Sequence, residues 1–419
     1  MVVNASQPYS PTQLRRHNAA LLLRTLQAKG TVTRPELAQA TGLSQPTVNQ
    51  ISALLLKTGR IVEAPLRGST RPVKRGPKAT LLSFNAAAGY ALGIDISAEK
   101  IVVLVGDLAG NIVGQRHEDV GPRKMLRPEP LLARVRGAVA AALRAARVPR
   151  ARLLGVGVSV PGIIDPESGG ISLVPSLPGW EGLPVASRLA PGFSCPVIVN
   201  CDLHVASLAE RGFGAARESG DAIYVHLGAG IGLGILVRGE PYLGVDGAAG
   251  QIGFLPIGDS DEPPTSGFGQ FEWAAGSSAF ARLAVRVLAK AGPTSHLRQL
   301  AGKRRDSITP KIVFEAAARG DQDAKQIIAY LIEQIAQGIA AVICVLNPET
   351  VILGGEIAEG ESLLIEPLRA RVSELVPRPP RRFACSVLGQ DSAALGALQV
   401  ALRQAQDRIF ENPTYDSEV

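Results

Sequence analysis

Apolar residues change their spacing along this chain, and the change divides it. From Gln13 to Lys29, Leu14, Leu21, Leu22 and Leu26 recur at helical spacing and predict one helix with an inward stripe. Pro35 to Ala40 reads as a short second helix with Pro at its front, where a missing N–H costs nothing. Gly42 lies in the tight turn that a change of direction needs. Ser44 can cap the next helix by accepting an orphan N–H. There Val48, Ile51 and Leu55 fall at i, i+3 and i+7, which turns Thr47, Asn49 and Gln50 outward.

From Tyr90 the spacing is that of strands. Tyr90–Ile96, Ile101–Asp107 and Asn111–His117 make a meander. A helix (Leu131–Arg147), a strand (Leu153–Val160), a loop (Pro161–Pro184), a short strand (Pro196–Asn200) and a helix opening at Asp202 follow. The meander then recurs as Ala222–Leu227, Gly232–Val237 and Glu240–Leu243. Helices, strands Thr350–Leu353 and Phe383–Leu388, and a last helix Ser392–Arg403 complete the chain. Such repetition suggests a duplicated fold, two α/β lobes with a ligand cleft between them. The long stretch Gln322–Leu346 carries a broad apolar stripe, which suits core packing or a subunit interface.

Composition sharpens the division. A chain of 419 residues exceeds one core and predicts two or three domains. No apolar run is expected to span a membrane and no signal pattern opens the chain, so a cytoplasmic protein is expected. The net charge of +7 is uneven: residues 1–80 hold 12 Lys/Arg and 2 Asp/Glu, the remainder 32 and 35. Arg67, Arg71, Lys74, Arg75 and Lys78 form an acid-free run among Gly68, Pro72, Gly76 and Pro77, an extended basic wing. With the helix pair before it, this predicts double-stranded DNA as partner. Ser44, Gln45, Thr47, Asn49 and Gln50 would face the major groove, and the wing cations would face phosphates or a minor groove. The plain alternative is a solvated helix followed by a charged loop. Cys195, Cys201, Cys344 and Cys385 lack C-x-x-C spacing and read as reduced thiols.

Gly228, Gly230 and Gly232 alternate in the first turn of the second meander, where backbone N–H groups can converge on an anion. A tight hairpin would use the same residues. Gly354 and Gly355, after a strand and before a helix, offer another phosphate place. The equivalent turn of the first meander, Asp95 to Lys100, has no glycine. Ser97 and Ala98 restrict approach there and Glu99 adds a like charge, so half of a nucleotide clamp is missing.

The segments GLSQPTVNQISALL, VPGIID, LPGWEGLP, LGAGIGLGI, AAGQIGF, NPETVILGG and LGQDSAALGA together resemble the ROK family (repressors, open reading frames and sugar kinases), in its xylose- and N-acetylglucosamine-repressor type. The resemblance covers nearly the whole chain. It implies an α/β protein: a winged helix-turn-helix (1–82), then a two-lobed actin-like, ribonuclease H-like sugar-kinase fold (83–419). Lobe one would span about 83–212 plus a C-terminal helix 392–405, and lobe two about 213–391. Kinase members carry Gly-Gly where this chain has Ser97-Ala98, and Asn-Asp where it has Cys201-Asp202. Asp202 therefore keeps the position of the kinase base without its companion amide. The family's zinc ligands fall here on Phe254, Pro263, Thr265 and Gln270, none of which binds metal, so no zinc is expected. Glu272 matches a sugar-binding Glu and Ser176 replaces an Asn. The ligand shell implied is Ser176, Asp202, Gln251 and Glu272, backed by Gly162.

The residues leave plainer readings open. Asp202 could be only a helix N-cap, and Glu272 only a cap or surface partner. His204 and His226 read as packed histidines. Trp180 and Trp273 could stack on sugar or fill core. The resulting expectation is a sugar-responsive repressor with no catalytic residue, no cofactor and no ATP requirement. It would act as a homodimer or dimer of dimers, away from membranes, with a sugar or oligosaccharide effector. The alternatives are an active ATP-dependent hexose kinase carrying a DNA-binding arm, and a ligand-independent DNA-binding protein.

Overall fold

The structure is a computed structural model; it describes residues 10–64, 80–121, 123–258, 264, 267–289, 295–302 and 308–411. The basic wing residues Arg67, Arg71, Lys74, Arg75 and Lys78 lie outside the described residues, as do Pro263 and Thr265.

The N-terminal unit is three helices on a small sheet. Helix Pro11–Lys29 starts two residues before the expected point because Ser10 and Gln13 form a capping box. Its buried residues are Ala19, Leu22, Leu23 and Leu26, whereas Leu14 is 49% exposed, so the stripe is shifted from the expected one. Helix Arg34–Thr41 has a second capping box, Thr33 with Glu36, and ends at Gly42 with φ +72°. Ser44 caps helix Gln45–Lys57, whose buried residues include Val48, Ile51 and Leu55 as the spacing predicts. Strand Leu81–Phe84 closes this unit's sheet: it lies between Val32–Thr33 and Ile61–Ala64, antiparallel to both.

The rest is two five-stranded sheets of the same order. In the first, Ile112–Asp119, Lys100–Asp107, Tyr90–Ile96, Leu153–Val160 and Val197–Cys201 lie side by side. In the second, Glu240–Pro241, Ile231–Val237, Ala222–Leu227, Thr350–Gly354 and Arg382–Cys385 repeat that order. In each, the first three strands are antiparallel and the last two run parallel to the third. The expected duplication is thus visible strand by strand. The segment 161–184 was expected as loop but contains a hairpin, Ile163–Ile164 with Ile171–Leu173.

Helix Pro128–Ala146 covers one face of the first sheet and helix Ser392–Glu411 the other. The latter runs eight residues past the expected end, placing Ala405, Ile409 and Phe410 in the core of the N-terminal unit. Helix Gln322–Leu346 is core to the second lobe through Ile327, Leu331, Ile335, Ile339 and Ile343. By length and composition it could cross a membrane, contrary to the sequence expectation that no run is so long. However, 67% of its apolar window is buried within the fold, as suits a core helix.

Candidate functional site

Two surfaces carry the candidate chemistry, and the N-terminal one is simpler. Gln45, Asn49 and Gln50 are exposed along the third helix, while Val48 and Ile51 hold its other side in the core. Thr47 is less free than its outward position suggests: it is half-buried and its hydroxyl lies 2.8 Å from that of Ser44. Ser44 also accepts from Thr47 N–H, and the first turn has no acidic residue. The exposed N-terminal turn can therefore meet a phosphate without repulsion from its own side chains.

The second surface is the cleft between the lobes. Asp95, the penultimate residue of strand Tyr90–Ile96, is buried and accepts from Ser159 Oγ at 2.9 Å. Burial pushes its carboxyl up to about 7; the Asp202 charge pushes the same way, against the Ser159 hydrogen bond and Lys100. Beyond it, Ser97 closes its own turn. Its Oγ accepts from Glu99 N–H (3.3 Å) and Lys100 N–H (3.1 Å), and its own N–H donates to Lys100 O. Those N–H groups are the ones a glycine turn would turn to an anion. Lys100 Nζ instead donates to Gln390 O at 2.5 Å.

Asp202 is the first residue of helix Asp202–Gly212 and not its cap, which is Cys201. Its Oδ1 accepts from Leu203 N–H at 2.8 Å and from the Cys201 thiol at 3.3 Å. Burial raises its carboxyl above the usual range, and His226 opposes that shift. His204 is the packed histidine that was expected, its Nε2 lying 3.2 Å from Ala249 O.

Lobe two faces these groups with its glycine loop. Gly228 N–H donates to Gly230 O, and Ile231 N–H donates to Glu272 Oε2 at 3.2 Å. The other Glu272 oxygen accepts from Gly269 N–H at 2.9 Å. Glu272 is thus a buried cap that also ties down the glycine loop, combining the capping reading with a place beside the cleft. A Cβ on Gly253 would stand 2.6 Å from Glu272 Oε2, so the segment Gly250-Gln251-Ile252-Gly253 lies against the same carboxylate. Gly162 has φ +102° and a Cβ there would meet Leu173 O at 2.1 Å, which makes glycine a requirement of the hairpin. Ser176 is exposed on the segment after that hairpin. A Cβ on Gly267 would come within 3.9 Å of neighbouring Pro175, so both lobes reach this rim.

Trp180 is fully buried and donates from Nε1 to Leu126 O, a core role. Trp273 carries the Arg282 guanidinium 3.6 Å from its ring centroid. Gln270, one of the four zinc positions, donates to Gly258 O, and Phe254 is half exposed. Among the described residues no three His, Cys, Asp or Glu side chains come together as a metal site.

The residue that sequence reasoning undervalued is His226. It is the second residue after Tyr224 on one strand, so both share a face, and that face turns to helix Asp202–Gly212. Burial lowers its pKa, while Asp202 and then Glu356 and Glu99 pull the other way. The signal was available: a titratable side chain two residues before a glycine run, near the end of a strand.

Comparison with known proteins agrees with this architecture. Residues 91–404 match the ROK family, and residues 20–62 match a winged helix-turn-helix DNA-binding domain. The xylose repressor of Caldicellulosiruptor bescii is 28% identical over 369 residues, covering 87% of this chain and 89% of that protein. The DNA-binding transcriptional dual regulator NagC of Escherichia coli (strain K12) is 26% identical, over 85% of this chain and 84% of its own. Among solved structures, a ROK family transcriptional regulator homologous to E. coli Mlc superposes with a TM-score of 0.75 at 22% identity, covering 95% and 98% of the two chains. A ROK family glucokinase from Streptomyces griseus, in complex with glucose and AMPPNP, superposes at 0.64 with 25% identity, covering 75% of this chain and 100% of its own. The chain belongs to the ROK family, with a winged helix-turn-helix ahead of the family's two-lobed body.

Proposed function

We propose that this chain is a sugar-responsive DNA-binding transcriptional repressor whose kinase cleft has become a sensor. The carrying observation is that an exposed Gln45, Asn49 and Gln50 face is built onto a kinase-like body whose first phosphate turn is closed by Ser97. Amide side chains on that face can donate and accept together at an adenine edge. Arg67, Arg71, Lys74, Arg75 and Lys78 supply phosphate contacts, and two protomers together read a near-palindromic operator.

Ser176, Asp202, Gln251 and Glu272, with Gly162 behind them, form the sugar end of the cleft in this reading. Bound sugar changes DNA affinity only by its differential affinity for the open and closed lobes. The protein works without zinc or ATP and in the cytoplasm. The decisive experiment selects a duplex from a random pool, then titrates monosaccharides and oligosaccharides against the complex. A sugar that shifts operator affinity supports the reading; absence of duplex binding at physiological salt refutes it.

A second reading has its own observation. Asp202 keeps the kinase-base position in the cleft, and the glycines Gly228, Gly230 and Gly232 are all present, which favours an ATP-dependent hexose kinase carrying a DNA-binding arm as the alternative. Sustained ATP turnover with a hexose, abolished in Asp202→Asn, would establish it.

A further inference from the structure

We infer that His226 determines what this cleft admits: its imidazole fills the phosphate place of the second glycine loop, so the cleft takes ligands that present hydroxyl groups beside Asp202 and rejects those carrying a phosphoryl chain. The inference rests on reading the glycine turns as former phosphate loops, as proposed above.

The ring is wedged between the two glycine turns of lobe two. A Cβ on Gly228 would stand 2.7 Å from His226 Nε2, and one on Gly355 would stand 3.0 Å from its Cε1. Glycines leave space so that a ligand can approach the backbone. At Gly228 the chain's own side chain uses that space; at Gly355 Leu227 O stands nearest, 2.4 Å from such a Cβ, with the ring just beyond it. A phosphate oxygen must come within about 3 Å of a backbone N–H to be bound, and the ring stands in that approach. The loop's own groups are engaged as well, Gly228 N–H by Gly230 O and Ile231 N–H by Glu272.

Charge acts in the same direction. Asp202 and Glu99 from lobe one and Glu356 from lobe two all act on the ring, with Lys100 as the opposing cation. Lys100 is itself held by Gln390 O, and Glu356 accepts from Ser277 Oγ beside the glycine loop. Phosphate oxygens brought there would face three carboxylates. A sugar hydroxyl would not: it can donate to Asp202 and exchange a hydrogen bond with the neutral imidazole. His226 is thus a specificity residue supplied by the very strand that leads into the phosphate loop.

The test is calorimetric titration of AMPPNP with Mg2+, and separately of inorganic pyrophosphate, into the full-length wild type, His226→Gly and the bulk-retaining His226→Phe. Operator binding is measured on the same preparations. Wild type and His226→Phe should give no saturable heat at millimolar ligand. His226→Gly should bind AMPPNP at least about tenfold more tightly, equivalent to about 1.4 kcal/mol. If His226→Gly melts without cooperativity, His226→Ala takes its place with the same expectation. Folded variants that bind no better than wild type overturn the inference, and wild-type operator binding in the same series leaves the sensor reading standing. Wild type binding AMPPNP as tightly as the glycine variant also overturns it, and sugar phosphorylation in that sample would remove the sensor reading too.

Discussion

Replacing Ile409 by Ala should loosen the DNA-binding unit from the body of the protein without touching either site. Ile409 is 2% exposed and shares a cluster with Leu22, Leu23, Leu26, Leu37, Leu55 and Leu82, all of the N-terminal unit. Truncating a buried Ile to Ala costs about 2–5 kcal/mol, the transfer loss plus the cavity left behind. A unit of this size holds only about 3–5 kcal/mol from its own core, so the loss is comparable with its whole margin. Arg24, with its guanidinium 5.2 Å from the Phe410 ring centroid, adds only about 0.5–1 kcal/mol, so the joint then rests on Ala405, Phe410 and Leu108. Amide hydrogen exchange should accelerate across helices Pro11–Lys29 and Gln45–Lys57 but not in the sheets of the body. Operator affinity, read by fluorescence anisotropy at fixed salt, should fall by up to about a hundredfold if some 3 kcal/mol of preorganisation is lost. Ile409→Val, which costs about 0.5–1.5 kcal/mol, should lie between wild type and Ala. Unchanged exchange in the reading helix, or exchange raised equally in both lobes, would refute this account of how the units are joined.

Other expectations can be checked in parallel. Asp95 is buried with its carboxyl raised to about 7, so the folded state binds a proton that the unfolded state releases near its ordinary value. Its contribution to stability is full below pH about 4 and declines as pH rises towards 7. Asp95→Asn should flatten that slope in urea unfolding at pH 5 and 8; an unchanged slope would assign it to other groups such as Asp202. Gly157→Ala would set a Cβ 1.9 Å from Ala397 O, and a backbone carbonyl cannot step aside cheaply. A loss of at least about 1–3 kcal/mol is expected, seen as a lower urea midpoint at unchanged slope. Gln50→Ala should alter sequence preference, whereas Arg75→Ala should weaken all duplexes alike and reduce the salt slope by about one. Equal effects of both on cognate and random DNA would contradict that division.

Much of this was legible because periodicity and caps act locally. Val48, Ile51 and Leu55 face inward because one helical face must be apolar, and Ser44 caps because an N-terminal hydroxyl has little else to bind. The repeated meander made the duplication legible, whereas the parallel seating of the later two strands of each sheet beside it was not. What was not legible depends on partners distant in sequence. Glu272 caps its own helix and also takes the N–H of Ile231, 41 residues away, so neither role alone described it. Leu14 matched the helical stripe but lies beyond the edge of the core, where the stripe ends in solvent. The C-terminal helix looked complete at Arg403, and only packing against the N-terminal unit gives Ala405, Ile409 and Phe410 a reason to continue it. His226 looked like an ordinary strand histidine until the two glycine turns were seen on either side of it.

The C-terminal helix also decides how a signal can travel. Cβ atoms on Gly93, Gly155 and Gly157 would meet carbonyls of Ala394, Ala401 and Ala397 at 2.3, 2.7 and 1.9 Å. One on Gly396 would meet Val205 O at 1.7 Å. At these four glycines the helix lies on the backbone of the lobe-one sheet and of the helix that Asp202 begins, and between them Leu398 and Leu402 pack on Ala91, Val102 and Leu104. Such backbone-to-backbone contact has no room to slide by fractions of an ångström, because close-packed interiors shift between discrete arrangements and do not deform smoothly. Its leading end is tethered by Lys100 to Gln390 and by His117 to Asp391 at 2.8 Å, and its trailing end is core to the DNA-binding unit. Asp202, the lobe-one sheet and the reading helix consequently form one body. Lobe two meets this body through the helix that Asp202 begins: Ala206 and Leu208 cluster with Tyr224, Leu236 and Ile352 of the second sheet, and a Cβ on Gly234 would meet Leu203 O at 2.2 Å. Helix Asp202–Gly212 is thus packed on the second sheet at Gly234 and on the C-terminal helix at Gly396, so a displacement of lobe two is passed to the helix that enters the DNA-binding unit.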